Sequence, residues 1–148
     1  MPLYSDAGGL PATFVALSFA DWRQRPEWPA VELANTDPVE EIAPHVSRLR
    51  LIVLNFPKFS DGRAYSQARL LRGRLGYRGE LRATGGVLQD QIGFMLRCGF
   101  DSFESEQAGF GEALAKARTL FSVVYQPAED GRVPVSQLRH ERRGVALT

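Results

Sequence analysis

Leu51-Ile-Val-Leu54 is a continuous apolar run, and the chain leaves it through Asn55-Phe-Pro-Lys-Phe-Ser-Asp-Gly62 into the helical pattern Arg63-Ala-Tyr-Ser-Gln-Ala-Arg-Leu-Leu-Arg72. A run without polar alternation suits a strand covered on both faces, the usual condition in a parallel sheet. Pro57 has no N–H to give to a ladder, so pairing should fade there and the chain should leave the sheet. Beyond it, Ala64, Ala68, Leu71 and Leu75 recur at helical spacing, and Gly76 is a natural stop. A buried strand running straight into an amphipathic helix is half of a βαβ unit.

The same grammar recurs along the chain. Apolar, partly β-branched runs at Phe14–Phe19, Val31–Leu33, Leu49–Phe56, Glu80–Ala83, Phe100–Phe103 and Phe121–Tyr125 read as strands. Between most of them lie helical patterns. Asp37 can cap a helix with Pro38 in its first turn and Glu40 where a capping box would place it. Val87 to Cys98 turns Leu88, Ile92, Met95 and Leu96 inward ahead of Gly99, and Gly111 to Leu120 offers Ala113, Leu114 and Ala117 for packing. This order predicts an α/β fold of repeated βα units, a mainly parallel sheet flanked by helices, with Leu51–Leu54 at its centre. An open sheet and a partial barrel satisfy the pattern equally.

A chain of 148 residues suits one domain. No apolar run approaches the roughly 20 residues of a membrane helix, and the start Met1-Pro-Leu-Tyr-Ser-Asp6 lacks the basic and apolar parts of a secretory signal. No membrane association and a cytoplasmic location are expected. Cys98 is the sole cysteine, which excludes an internal disulfide or a cysteine-ligated cluster; His45 and His140 are the only histidines. No metal site of the usual kind is expected, and no cofactor motif is evident. Cys98, Phe94, Phe100 and Phe103 read as core.

Net charge is +1, but its distribution is uneven. Residues 1–47 hold two basic and seven acidic side chains, residues 48–98 ten basic and three acidic, and the tail beyond 131 is basic again. Such blocks suggest one positive face, read most simply as a solvated, arginine-rich helix surface. Nucleic-acid binding is not expected, because no recognition motif accompanies the basic block.

Ligands of α/β sheets gather where strands end and helices begin. At the first such junction Lys58, Ser60, Asp61, Gly62, Arg63, Tyr65 and Ser66 come together, with Ser60 or Asp61 able to cap and Gly62 able to take an unusual φ. A helix N-terminus beside Lys58 and Arg63 suits phosphate, sulfate or carboxylate. The next junction, Gly85-Gly-Val-Leu-Gln-Asp-Gln91, should open on the same edge of a parallel sheet, offering Gln89, Asp90 and Gln91. Asp90 could orient Arg63 or act as a general base, or simply favour the helix dipole.

Taken together, Leu54–Arg72, Leu75-Gly-Tyr-Arg-Gly-Glu-Leu-Arg82, Asp90-Gln91, Met95-Leu-Arg-Cys-Gly-Phe-Asp101 and Tyr125-Gln-Pro127 resemble the signature of a family of small proteobacterial proteins of unknown function. Members are commonly encoded beside assimilatory sulfite reductase and often labelled oxidoreductases. The resemblance spans roughly residues 48–127, so the chain divides into a single domain over 1–127, with an acidic portion 1–47 and a family core 48–127, followed by a basic tail 128–148. It implies a link to sulfate and sulfite assimilation, with sulfite reductase, another protein of sulfur assimilation or a small oxyanion as partner. A small enzyme acting on an anionic metabolite and a non-catalytic binding subunit remain as alternatives. An uncovered parallel edge would invite a homodimer.

Overall fold

A computed structural model of the chain describes residues 2–5, 9–57 and 62–124. Along it run β1 (Leu3–Ser5), β2 (Leu17–Ser18), α1 (Phe19–Gln24), β3 (Ala30–Leu33), β4 (Leu51–Phe56), α2 (Arg63–Arg69), β5 (Glu80–Gly85), α3 (Ile92–Cys98), β6 (Ser102–Glu104) and α4 (Phe110–Val124). A 3₁₀ helix, Val39–His45, connects β3 to β4; a π-helical turn, Leu70–Arg74, prolongs α2; and a second 3₁₀ turn, Gln89–Gln91, leads into α3.

The strands form one sheet in the order β1-β6-β5-β4-β3-β2, parallel throughout except for β1, which pairs antiparallel with β6. The sheet is open and mainly parallel, and β4 lies inside it between β3 and β5, as its apolar run predicts. From β2 to β6 every crossover steps to the next strand in the same direction. Right-handed crossovers then deliver the connecting helices to one face. The packing agrees: Phe19 and Trp22 of α1, Ala64 and Ala68 of α2, Ile92 and Met95 of α3, and Phe110 of α4 share one core with Ile52, Leu54 and Phe56.

The opposite face is covered differently. Alternation turns Leu51 and Val53 away from the helices, and they pack with Ala30 against Leu10, Phe14, Ala16 and Trp28. The register carries this face across the sheet to polar residues: Leu51 stands beside Glu80, Val53 beside Arg82, and Arg82 beside Ser102. The acidic N-terminal portion therefore does two things. It supplies strands to both edges, and it covers the helix-free face.

Several expectations change in contact with the fold. Only Leu17–Ser18 of the Phe14–Phe19 run is strand, because the Ser18 hydroxyl accepts from the Asp21 N–H and starts α1 there. Phe121–Tyr125 is not a strand: its described residues, Phe121–Val124, continue α4. Asp37 accepts from the Ala34 N–H at 2.7 Å, closing a turn instead of capping, and the helix after it is 3₁₀ with Pro44 inside it. The Val87–Cys98 pattern becomes α-helical only at Ile92; Gly99, at φ +101°, stops it as expected. Phe94 is 37% exposed and so not core, whereas Cys98, Phe100 and Phe103 are. The arginine-rich block is not simply solvated, since Arg72 and Arg82 are buried, at 8% and 3% exposure. Among the described residues no helix is long and apolar enough to cross a membrane.

Candidate functional site

The parallel strands β2 to β6 end on a common edge, and both junctions singled out in the sequence open there. At the first, Phe56 is buried and Pro57 exposed where the strand stops. Lys58, Ser60 and Asp61 lie outside the described residues. The N-cap of α2 falls on Gly62, which has no side chain to cap with and takes an ordinary φ of −83°. The unusual φ that a glycine permits is not used here. Arg63 is exposed at the first position of α2, and Ser66 is exposed one turn on, its N–H donating to the Gly62 carbonyl at 3.2 Å.

Tyr65 turns inward. Its ring packs against Phe56 and Phe94, with centroids at 5.0 and 4.6 Å, and its hydroxyl donates to Gln91 Oε1 at 3.0 Å. This bond links the two junctions directly, as does the Gly86 N–H donating to the Phe56 carbonyl. Burial disfavours the phenolate and pushes the Tyr65 pKa up to about 12, with nearby Cys98 adding to the rise. A phenol so placed stays protonated near neutrality and serves as a donor, not as a base. Because its folded pKa exceeds the usual value of about 10, Tyr65 binds its proton more tightly in the folded state. Its contribution is complete below about pH 10 and is lost as pH rises toward about 12. Tyr65→Phe should flatten that part of a urea-denaturation pH profile and cost about 1 kcal/mol at neutral pH for the lost hydrogen bond.

At the second junction the side chains are divided between duties. Gln89 pins the loop to the β6–α4 connection: its N–H donates to Gln107 Oε1 and its Nε2 to the Ala108 carbonyl, both at 2.7 Å. Gln91 is taken by Tyr65. Asp90 is exposed in the 3₁₀ turn.

A cleft of about 770 Å³, not foreseen from sequence, opens on the same edge beyond β2, β3 and β4. Ser18, Phe19, Arg23, Glu32, Asp37 and Asn55 contribute to its lining. The Asn55 amide approaches Glu32 Oε2 at 3.4 Å, and the exposed Arg23–Glu41 pair, at 3.6 Å, is of the kind worth little. The lining is carboxylate-rich and therefore a poor host for an anion. A legible signal existed: Glu32 and Asn55 are polar interruptions at the ends of otherwise apolar strands. Among the described residues no cluster of three or more His, Cys, Asp or Glu side chains could hold a metal ion.

Comparison with known proteins agrees with the signature in Leu54–Arg72. The model of a bacterial protein family of unknown function (DUF934) matches residues 30–136, well over half of the chain. No curated protein and no solved structure matches.

Proposed function

The chain belongs to this DUF934 family, and from that premise we propose that it is an accessory protein of assimilatory sulfate and sulfite reduction. It acts with sulfite reductase, or holds a small oxyanion, at the strand-to-helix edge around residues 58–66. The carrying observation is the placement of Arg63: exposed, first in its helix, at the end of an interior strand. A guanidinium there can grip two oxygens of a sulfite, a sulfate or a partner's carboxylate. The neighbouring cleft, rich in carboxylates, leaves the Arg63 side as the anion-facing part of the edge. Work beside the reductase places the protein in the cytoplasm.

A thermal-shift titration with sulfite, sulfate, phosphate and adenylylated sulfate tests the oxyanion arm. At 100 times its dissociation constant a ligand bound only to the folded state stabilises by about 2.7 kcal/mol. The expected result is a saturable shift that Arg63→Ala abolishes. If no anion shifts the transition, the oxyanion arm fails and a pull-down with sulfite reductase decides the other.

A second reading is a small enzyme acting on an anionic metabolite at this edge, where Arg63 and Asp90 are both exposed. Arg63 would bind the substrate and Asp90 would move a proton. Asp90→Asn would then abolish turnover while sparing binding. A cleft lined from both junctions would favour this reading most, and the described lining comes instead from the β2–β4 side.

A further inference from the structure

On the outer surface of the helical layer, in the first turn of α3, Phe94 stands out. It is 37% exposed, on α3, with its ring packed on Tyr65 of α2. Two guanidinium groups frame it: Arg69 of α2 at 5.5 Å from the ring centroid and Arg97 of α3 at 5.8 Å. Both arginines are exposed, and neither has a carboxylate partner among the described residues. The sequence shows why. From Gly62 through Gly79, and again from Gln91 through Phe100, there is no Asp or Glu at all, while Arg63, Arg69, Arg74 and Arg97 are all exposed.

Stacking an arginine on an exposed aromatic is by itself a modest local stabiliser. It accounts for the position of each guanidinium but not for two neighbouring helices stripped of acids around a half-covered ring. Aromatic and arginine side chains together are the composition of interface centres, where a ring is buried and flanking arginines grip carboxylates in pairs. We infer that the α2–α3 surface centred on Phe94 docks an acidic segment of a protein partner. One apolar side chain of that segment covers the Phe94 ring, and carboxylates on either side pair with Arg69 and Arg97. Charge complementarity selects this occupant: two exposed arginines flank an apolar ring on helices that carry no carboxylate of their own, which calls for an acidic, partly apolar strip. The surface borders the proposed oxyanion edge through Tyr65 but is centred elsewhere, since Arg69 lies nearly two turns along α2 from Arg63, and it stands whether or not that edge binds an anion.

The test uses the full-length chain, ¹⁵N-labelled, with a synthetic peptide of alternating aspartate, glutamate and phenylalanine, and a control with lysine in place of the acids. The acidic peptide should shift amide resonances of α2 and α3, and raised salt should weaken it. Affinity should fall by about tenfold or more in Phe94→Ala and in Arg69→Glu/Arg97→Glu. These exposed positions leave the core intact, which an unchanged thermal transition verifies. Arg63→Ala should bind the peptide as the wild type does, separating this surface from the oxyanion edge. The inference is overturned if millimolar acidic peptide leaves α2 and α3 unshifted, if the lysine peptide binds equally well, or if the variants bind undiminished. It is also overturned if sedimentation shows a second copy of the chain occupying the surface, with a dimer that Phe94→Ala dissociates.

Discussion

Arg72→Met should lower the unfolding free energy by about 3–5 kcal/mol, as expected when one partner of a buried ion pair is removed. All of the guanidinium's donor capacity is engaged. Nε and Nη2 donate to the Gly99 carbonyl at 3.1 and 2.9 Å, Nη1 to the carbonyls of Tyr77 and Gly79 at 3.0 and 2.8 Å, and Nη2 to Asp101 Oδ2 at 2.6 Å. One side chain thus ties the end of the α2 segment to the approaches of β5 and β6. The backbone yields to it: Gly99 stands at φ +101°, and a Cβ there would come within 2.7 Å of Arg72 Cγ. Methionine fills a similar volume but leaves carbonyls without donors and the Asp101 carboxylate without its cation. Urea denaturation followed by circular dichroism reads the loss. Combined with Asp101→Asn, the cost should be less than the sum of the two single changes, because the pair shares one interaction. A loss below about 1 kcal/mol would mean that water satisfies these groups as well as Arg72 does.

Glu80→Ala should have an effect of comparable size on the other face of the sheet. Glu80 is 2% exposed. Its Oε2 accepts from Arg82 Nη2 and from the Ser102 hydroxyl, both at 2.7 Å, and its Oε1 accepts from the Leu10 N–H at 2.8 Å. Arg82 returns bonds to the Leu10 carbonyl at 3.0 Å and to Ser102 Oγ at 3.1 Å. The network closes on itself and clips the segment before β2 to the helix-free face. Arg82 cannot shed its charge, so removing Glu80 strands a buried cation, at a cost of about 3–5 kcal/mol. The local consequence separates this variant from Arg72→Met: the Leu10 amide should exchange with deuterium far faster, while amides of α3 keep their rank. Glu80→Leu with Arg82→Met and Ser102→Ala should recover much of the loss, since an apolar replacement of a buried pair is often neutral. Failure of that triple variant to outdo Glu80→Ala would show that the polar contacts, not the stranded charge, dominate.

How much of this was legible in the sequence varies with the range of the interaction. The interior place of Leu51–Leu54 followed from a local run, and the stop at Gly99 from a single residue with few conformational alternatives. Phe121–Val124 was misread because a short apolar run carries no period that separates strand from helix. The buried roles of Arg72 and Arg82 were hidden for a different reason. Arg72 is settled by Asp101 and Arg82 by Leu10 and Ser102 as well as its near neighbour Glu80, contacts mostly distant in the chain, and composition alone makes an arginine look solvated. The placement of every helix on one face depends on the direction of successive crossovers, which no local pattern encodes. The alternation Glu80-Leu-Arg82-Ala83 nevertheless held a sign of two differently covered faces. In the candidate site, the meeting of Tyr65 with Gln91 follows from two parallel strands ending on one edge. The cleft bounded by Glu32 and Asn55 depends on the N-terminal strands, whose boundaries the sequence blurred.

A role in sulfite reduction exercised through Arg63 has its decisive readout in growth. A strain lacking this protein but retaining sulfite reductase is compared on sulfate, on sulfite and on cysteine, with the wild-type chain or Arg63→Ala restored. The expected result is slow growth on sulfate and sulfite, normal growth on cysteine, rescue by the wild type and poor rescue by equally abundant Arg63→Ala. Equal growth of the deletion strain on all three sulfur sources would contradict it.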